Sequence, residues 1–426
     1  MQKKVRGIQF HKTGIFLLTV FFLWNAFFFS VQADEPYVVV IDPGHSGENL
    51  GAQYDGFTEK EMTMIVALAM KEHLEKFDNV VVYLTHENDD DMSIKDRAAF
   101  AKDKKADFLF SLHFNASVNH NLYGAEVWIP AYEDFYVIGR QFAEIEMEEF
   151  AALGLYSRGI KTKLNNRDKD YYGILRYCTE EGIPSALIEH CHMDHPVDKA
   201  FYQKGEEQLK AFGRADAEAV AKYFGLSSVE LSVDYSDYPL TEVERPRANE
   251  PVRPDMTPPD VCEAELLSVD NKSGKASVRL KAYDNDSYMQ YYDYSLDGGQ
   301  TFSDLQKWRR PYWNQSDEEM VFQVQLPLEK EITLVVRAYN GFDGFAESEH
   351  LKISPISMDE EITYEYIPVE ELVYEEQNFA LGLHINDKVK LIILIGCISF
   401  IMACIFYLMF RMIGMLQSSS KQRRRR

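Results

Sequence analysis

The chain has 426 residues, enough for two or three domains at about 100–200 residues each. A hydrophobic fraction of 46% with 13% aromatics supplies material for a packed core and excludes a disordered chain. With 45 Lys+Arg against 68 Asp+Glu, the net charge of −23 excludes a general nucleic-acid binder, and five cysteines exclude a disulfide scaffold.

The charge is unevenly spread. The first 33 residues carry four Lys/Arg and no acid; the last 40 carry eight Lys/Arg and one acid. At the start, Lys3, Lys4, Arg6 and Lys12 precede the apolar run 15–29, and Val31-Gln32-Ala33 places small residues before Asp34. This order reads as a secretory signal peptide over 1–33, with an uncleaved anchor as the alternative. Either reading exports the acidic body of the chain.

Residues 34–225 alternate strand and helix patterns. Strands are expected at 37–41, 80–84, 107–113, 126–129 and 185–189, and helices at 59–77, 93–104, 135–150 and 206–223. The alternation predicts an α/β fold with a mostly parallel sheet flanked by helices. Six of the 15 prolines fall between Pro239 and Pro259, so 226–261 reads as a semi-rigid linker. Residues 262–355 are dominated by short alternating strands with a turn signal at Ser295-Leu296-Asp297-Gly298-Gly299. An all-β immunoglobulin-like sandwich is expected there. Acidic, Tyr-rich residues of 356–390 read as a solvated stalk. Leu391–Phe410 has 20 residues without a charge, long enough for a transmembrane helix. The basic tail 411–426 then predicts a cytoplasmic end, with the body outside a cell membrane.

Four polar segments sit at element ends of the α/β region. They are Asp42-Pro43-Gly44-His45-Ser46-Gly47, Glu59 opening a helix, Ser111-Leu112-His113-Phe114-Asn115-Ala116, and Leu187-Ile188-Glu189-His190. Ligands gather at the carboxyl ends of strands in open α/β sheets. His, Glu and His from separate elements can form a three-ligand zinc site with an open position, and a further carboxylate can move the proton of a water there. A histidine at a strand end also reads as structural, and a glutamate opening a helix as a partner of its dipole. Spacing alone leaves both readings open.

Taken together, these segments resemble the type 3 family of zinc-dependent N-acetylmuramoyl-L-alanine amidases, bacterial cell-wall hydrolases. Val38–Gly47 is similar to the family's opening strand and Asp-Pro-Gly-His-Gly-Gly motif, with Ser46 in place of a glycine. Glu59-Lys60, Arg97 before Ala98, Ser111–Ala116 and Pro184–Glu189 resemble its later motifs, in the family's order. The resemblance implies that His45, Glu59 and His113 bind zinc and that Glu189 is the catalytic carboxylate. Glu61 is the near competitor of Glu59 and falls two residues along the helix. Asn115 is assigned support of His113 or its loop. Two departures stand out: His86 where the family has arginine after threonine, and His190-Cys191-His192-Met193-Asp194-His195 where it has Gly-Phe-Leu-Ser-Asn. The second reads as a variant surface loop, with a groove lining or a second metal as alternatives. A Cys178–Cys191 pair is a further possibility in an exported domain.

The implied substrate is peptidoglycan, cut at the amide between the muramoyl lactyl group and the first stem residue. The alternatives are another zinc amidase or peptidase on the same fold, or a non-catalytic wall-binding membrane protein. The sandwich is expected to bind wall polymer or a partner protein, or to hold the enzyme off the membrane. Trp308, Tyr312 and Trp313 read equally as a carbohydrate platform or as core.

Overall fold

The computed structural model describes residues 35–309 and 319–356. The expected signal peptide, the stalk from 357 onward, the span and the basic tail lie outside the described residues, as do Tyr312, Trp313, Cys397 and Cys404. Among the described residues no helix is long and apolar enough to cross a membrane.

The α/β part is built on β1 (Tyr37–Pro43), α1 (Glu59–Leu74), β2 (Val80–Leu84), α2 (Ile94–Lys104), β3 (Phe108–Asn115), β4 (Ala125–Trp128), α3 (Glu133–Leu153), β5 (Ser157–Lys161), α4 (Gly173–Glu181), β6 (Ser185–His192) and α5 (Glu206–Tyr223). The strands form one sheet in the order β2-β1-β3-β6-β4-β5. Neighbours are parallel except β6 and β4. Alternation along each strand divides the core into two layers. Val39, Ile41, Phe108, Phe110, Leu112 and Ile188 pack under α1, α3 and α5. Val40, Leu109 and Leu187 face the other way, under the shorter α2 and α4. Cys178 and Cys191 are free and buried in different layers, so the expected pairing does not form.

The expected helices and strands are present, with ends shifted by a few residues. Strand β5 and helix α4 are additional. Strand β5 reads Ser-Arg-Gly-Ile-Lys and lacks an apolar run, yet all five residues are buried. Its charged side chains, Arg158 and Lys161, are satisfied by carboxylates at long sequence separation, Glu126 for both and Asp343 for Arg158.

The second region starts at β7 (Val261–Asp270) and continues through β8 (Lys275–Tyr283), β9 (Met289–Ser295), β10 (Glu319–Gln325), β11 (Ile332–Asn340), β12 (Phe345–Glu347) and β13 (Leu351–Ile353). One antiparallel sheet runs β7-β8-β10; in the other, β9 and β12 flank β11, which also pairs with β13. Val278, Leu280, Phe322, Val324, Leu334 and Val336 share one core between them. Trp308 belongs to that core, edge-on to Tyr292, and is not a surface platform.

The proline-rich stretch runs along the α/β region. Leu226, Leu231, Val233 and Tyr235 pack on its core. Val252 N donates to the Ala131 carbonyl at 2.8 Å, and its own carbonyl accepts from Thr162 Oγ1 at 2.7 Å. Residues 35–356 fall within one compact unit, sandwich included.

Candidate metal centre

The turn after β1 has to bring a histidine over the ends of β1 and β3, and its sequence provides for this. A Cβ at Gly44 would stand 2.5 Å from the His113 ring, and His45 itself takes a left-handed φ of 67°. Gly51, at φ +68°, leaves room where a Cβ would meet Glu59 Oε2 at 2.5 Å. Arg97 fastens the turn from α2. Its Nη1 donates to Asp42 Oδ1 at 2.8 Å and to the Pro43 carbonyl, while Nη2 donates to the His45 carbonyl and to Ser46 Oγ at 2.8 Å. Ser46, which replaces a glycine of the resembled motif, is thus buried and paired.

Asp42 also accepts from Thr85 Oγ1 at 2.7 Å and Ser111 Oγ at 2.9 Å, tying the ends of β1, β2 and β3 together. His86 donates from Nδ1 to Thr85 Oγ1 at 3.1 Å; burial and the Arg97 charge lower its pKa. Arg97 supplies the buried ion pair to Asp42, so this anchor stands with histidine at 86.

His45 Nε2 and His113 Nδ1 each lie 2.9 Å from Glu59 Oε1. Among the described residues, the group of His, Cys, Asp and Glu donors close enough to share an ion is His45, Glu59 and His113, with donor atoms within 4.8 Å of one another. Glu61 is exposed. Asn49 Oδ1 accepts from His45 Nδ1 at 3.1 Å, which leaves Nε2 for the site. Ala52 N donates to Glu59 Oε2 at 2.8 Å and fixes the carboxylate. Burial raises the Glu59 pKa, but the two imidazoles outweigh it and hold the group well below the usual carboxylate range. Burial pushes His45 down, and the Glu59 carboxylate more than restores it, leaving it above its ordinary value. Two imidazole nitrogens and one anionic oxygen are a donor set that suits zinc.

Glu189 is the register partner of His113 on the adjacent parallel strand, and of Glu126 on the other side. One row of the sheet therefore carries His113, Glu189 and Glu126 on the face covered by α2 and α4. The Glu189 carboxyl is buried, and its Oε2 has no hydrogen-bond partner among the described residues. Burial, then the charges of Glu59 and Glu126, raise its pKa well above the ordinary value. A cleft lined by His45, Asn49, Arg97, His113, Tyr172 and Ile174, among others, opens over this face.

The histidines after Glu189 go elsewhere. His190 points to the opposite face, donates from Nδ1 to the His113 carbonyl at 2.9 Å and packs against Phe114 and Phe212. Burial lowers its pKa to about 4 and raises that of Asp216, whose carboxyl lies 3.0 Å from Nε2. His192 is buried and donates to the Gly124 carbonyl at 3.1 Å. His195 lies against the Tyr123 ring. The segment is neither an exposed loop nor a second metal group among the described residues.

Sequence reasoning missed the groups behind Glu189. Glu126 is fully buried and accepts from Asn115 Nδ2 at 2.8 Å, Trp128 Nε1 at 3.2 Å, Arg158 Nε at 2.9 Å and Lys161 Nζ at 2.8 Å. Asn115 thus serves Glu126 as well as its own loop. A glutamate in a short apolar strand followed by two basic residues on the next strand was the available signal.

A family model described as N-acetylmuramoyl-L-alanine amidase matches residues 39–222. The N-acetylmuramoyl-L-alanine amidase CwlM of Bacillus licheniformis is 29% identical over 196 residues, covering 44% of this chain and 69% of that protein. The sporulation-specific N-acetylmuramoyl-L-alanine amidase of Bacillus subtilis (strain 168) is 29% identical over 196 residues, covering 46% and 71%. The solved catalytic domain of CwlV, an N-acetylmuramoyl-L-alanine amidase from Bacillus (Paenibacillus) polymyxa var. colistinus, is 26% identical, covers 44% of this chain and 98% of that one, and has a TM-score of 0.37.

Proposed function

We propose that this chain, whose residues 39–222 belong to the N-acetylmuramoyl-L-alanine amidase family, cuts peptidoglycan with a zinc ion held by His45, Glu59 and His113. The reaction is hydrolysis of the amide between the muramoyl lactyl group and the L-alanine of the peptide stem. The observation that carries the zinc reading is the convergence of His45 Nε2, His113 Nδ1 and Glu59 Oε1 within 4.8 Å at one end of the sheet.

A zinc ion held there by His45, Glu59 and His113 would supply Lewis acidity to the scissile carbonyl and to the attacking water. The residues do the rest. Glu189, unpartnered on Oε2 and next to His113 in register, takes the proton of the attacking water. It then returns that proton to the departing amine, which leaves poorly without one. Asn49 fixes the His45 tautomer, and Ala52 N fixes Glu59. Incubation of the purified chain with peptidoglycan should release stem peptides with a free L-alanine amine. A chelator should stop the release, and added zinc should restore it. Release unaffected by metal removal overturns the zinc reading; muropeptides cut within the stem move the chain to the peptidase class.

We extend the proposal to the rest of the chain. The two antiparallel sheets with a shared core support an immunoglobulin-like reading of the second region. The apolar, basic-flanked segments at both ends support export of the body and anchoring by a single C-terminal membrane span. Protease added to wall-stripped cells should remove the body and spare the basic tail; a fully protected body overturns this topology.

A further inference from the structure

The sandwich reaches into the catalytic region with a charge. Arg158, on edge strand β5, is buried to 2% exposure. Its Nε holds Glu126, Nη1 donates to Tyr291 Oη at 3.2 Å, and Nη2 donates to both carboxylate oxygens of Asp343 at 3.2 and 2.9 Å. Tyr291 and Asp343 both come from the sandwich. Lys161 closes the group through Glu126 Oε2 at 2.8 Å. Two buried cations thus face two anions, one of which is contributed by the second region.

The contact is built to be close. Tyr288 donates from its hydroxyl to the Arg158 carbonyl at 2.5 Å. A Cβ at Gly159 or at Gly341 would collide with the Tyr288 ring or its hydroxyl, so the ring fits between two glycines, one from each region. Tyr291 donates to the Tyr123 carbonyl, and Tyr156 to that of Gln290. Asp343 sits in a tight turn at φ 65°, which Asn340 holds by accepting from Phe342 N at 3.1 Å and Gly344 N at 2.8 Å.

On the catalytic side the group ends at the site itself. Glu126 is the register partner of Glu189, and it is hydrogen-bonded to Asn115, two residues beyond His113. We infer that Asp343 is a positioning residue for the amidase site: it holds Arg158 in place, Arg158 holds Glu126, and Glu126 sets the strand ends that carry Glu189 and His113. The second region is then part of the working enzyme. A guanidinium buried without its outer carboxylate shifts toward the remaining one, and the Glu126 side chain shifts with it.

This rests on the amidase reading, and the test separates the two. In the full chain, Asp343→Asn keeps the shape and removes the charge. Misplacement of a catalytic group on this scale lowers turnover by about tenfold to a hundredfold. The kcat for a soluble muramoyl-peptide should fall by that factor with KM and zinc content unchanged, and Asp343→Glu should recover most of it. A kcat within twofold of the parent overturns the inference, as does a rise in KM alone. Should Asp343→Asn lose its fold, Tyr291→Phe takes its place; a severalfold fall in kcat is expected, and an unchanged kcat overturns the inference. A parent chain without amidase turnover refutes the functional reading instead. In that event the visible spectrum of cobalt(II) bound by the chain decides: it should change in Asp343→Asn, and an identical spectrum overturns the role of Asp343.

Discussion

Glu189 lies in a row with His113 on one side and a second glutamate on the other. Burial and the charges of Glu59 and Glu126 push its pKa upward. A cation held between His45, Glu59 and His113 would offset the Glu59 charge and favour the carboxylate that Glu189 needs to act as a base. Glu189→Gln keeps the side-chain shape and cannot accept a proton. It should retain zinc, while stem-peptide release falls by about 10²–10⁴-fold, the usual range for a positioned acid–base group. Near-normal release would pass the role to Tyr172, which lines the same cleft, since His190 and His192 are turned away from it. The four candidate residues stood out in the sequence because His45, His113 and Glu189 fall toward or just past the ends of apolar strands, and Glu59 opens a helix. Glu126, Arg158 and Lys161 were not, because a buried charge on a short strand looks like an exposed one until its partner is placed beside it.

At the scale of elements, strand and helix periodicity placed β1, β2, β3, β6, α1 and α5 from the sequence. Strand β5 escaped because its burial depends on partners from β4 and from residues 288–343. The segment after β6 escaped for a related reason: its polar side chains cap backbone groups. Asp198, in the one-turn helix Pro196–Lys199, accepts from Gly124 N at 2.6 Å and His192 N at 2.7 Å, joining the end of β6 to the start of β4. Burial nevertheless raises its pKa from 3.8 to about 6. The folded state therefore binds this proton more tightly than the unfolded chain does. That contribution to stability is complete below about pH 4 and is lost as pH rises through 6. Two pKa units correspond to about 3 kcal/mol. Asp198→Asn cannot ionise, so between pH 4 and 7 it should gain stability relative to the parent by about this amount, read from urea unfolding at a series of pH values. Parallel curves for the two proteins would show that the Asp198 carboxyl keeps an ordinary pKa in the fold.

For the molecule from 35 to 356, the composition suggested two domains and a spacer, while the structure has the spacer and the sandwich packed onto the α/β region. The consequence is thermodynamic. Inter-domain contacts in one chain are usually polar and modest, and such domains melt separately. Here, separating the sandwich strips Tyr291 and the surface-facing Asp343 from a guanidinium that is buried between the two regions and keeps its bond to Glu126. Tyr288 also leaves Gly159, and the hydroxyls of Tyr291 and Tyr156 lose their carbonyl partners. Neither region opens without these losses falling on both, so the two should unfold in one calorimetric transition. Zinc, whose proposed ligands all belong to the α/β region, should raise that whole transition, the sandwich included, because binding to the folded state stabilises everything that unfolds with it. Gly341→Val places side-chain atoms against Tyr288 and should divide the transition in two, leaving zinc to shift only one part. Two separate transitions in the parent chain, with only one responding to zinc, would show the sandwich to be an independent domain resting on the enzyme.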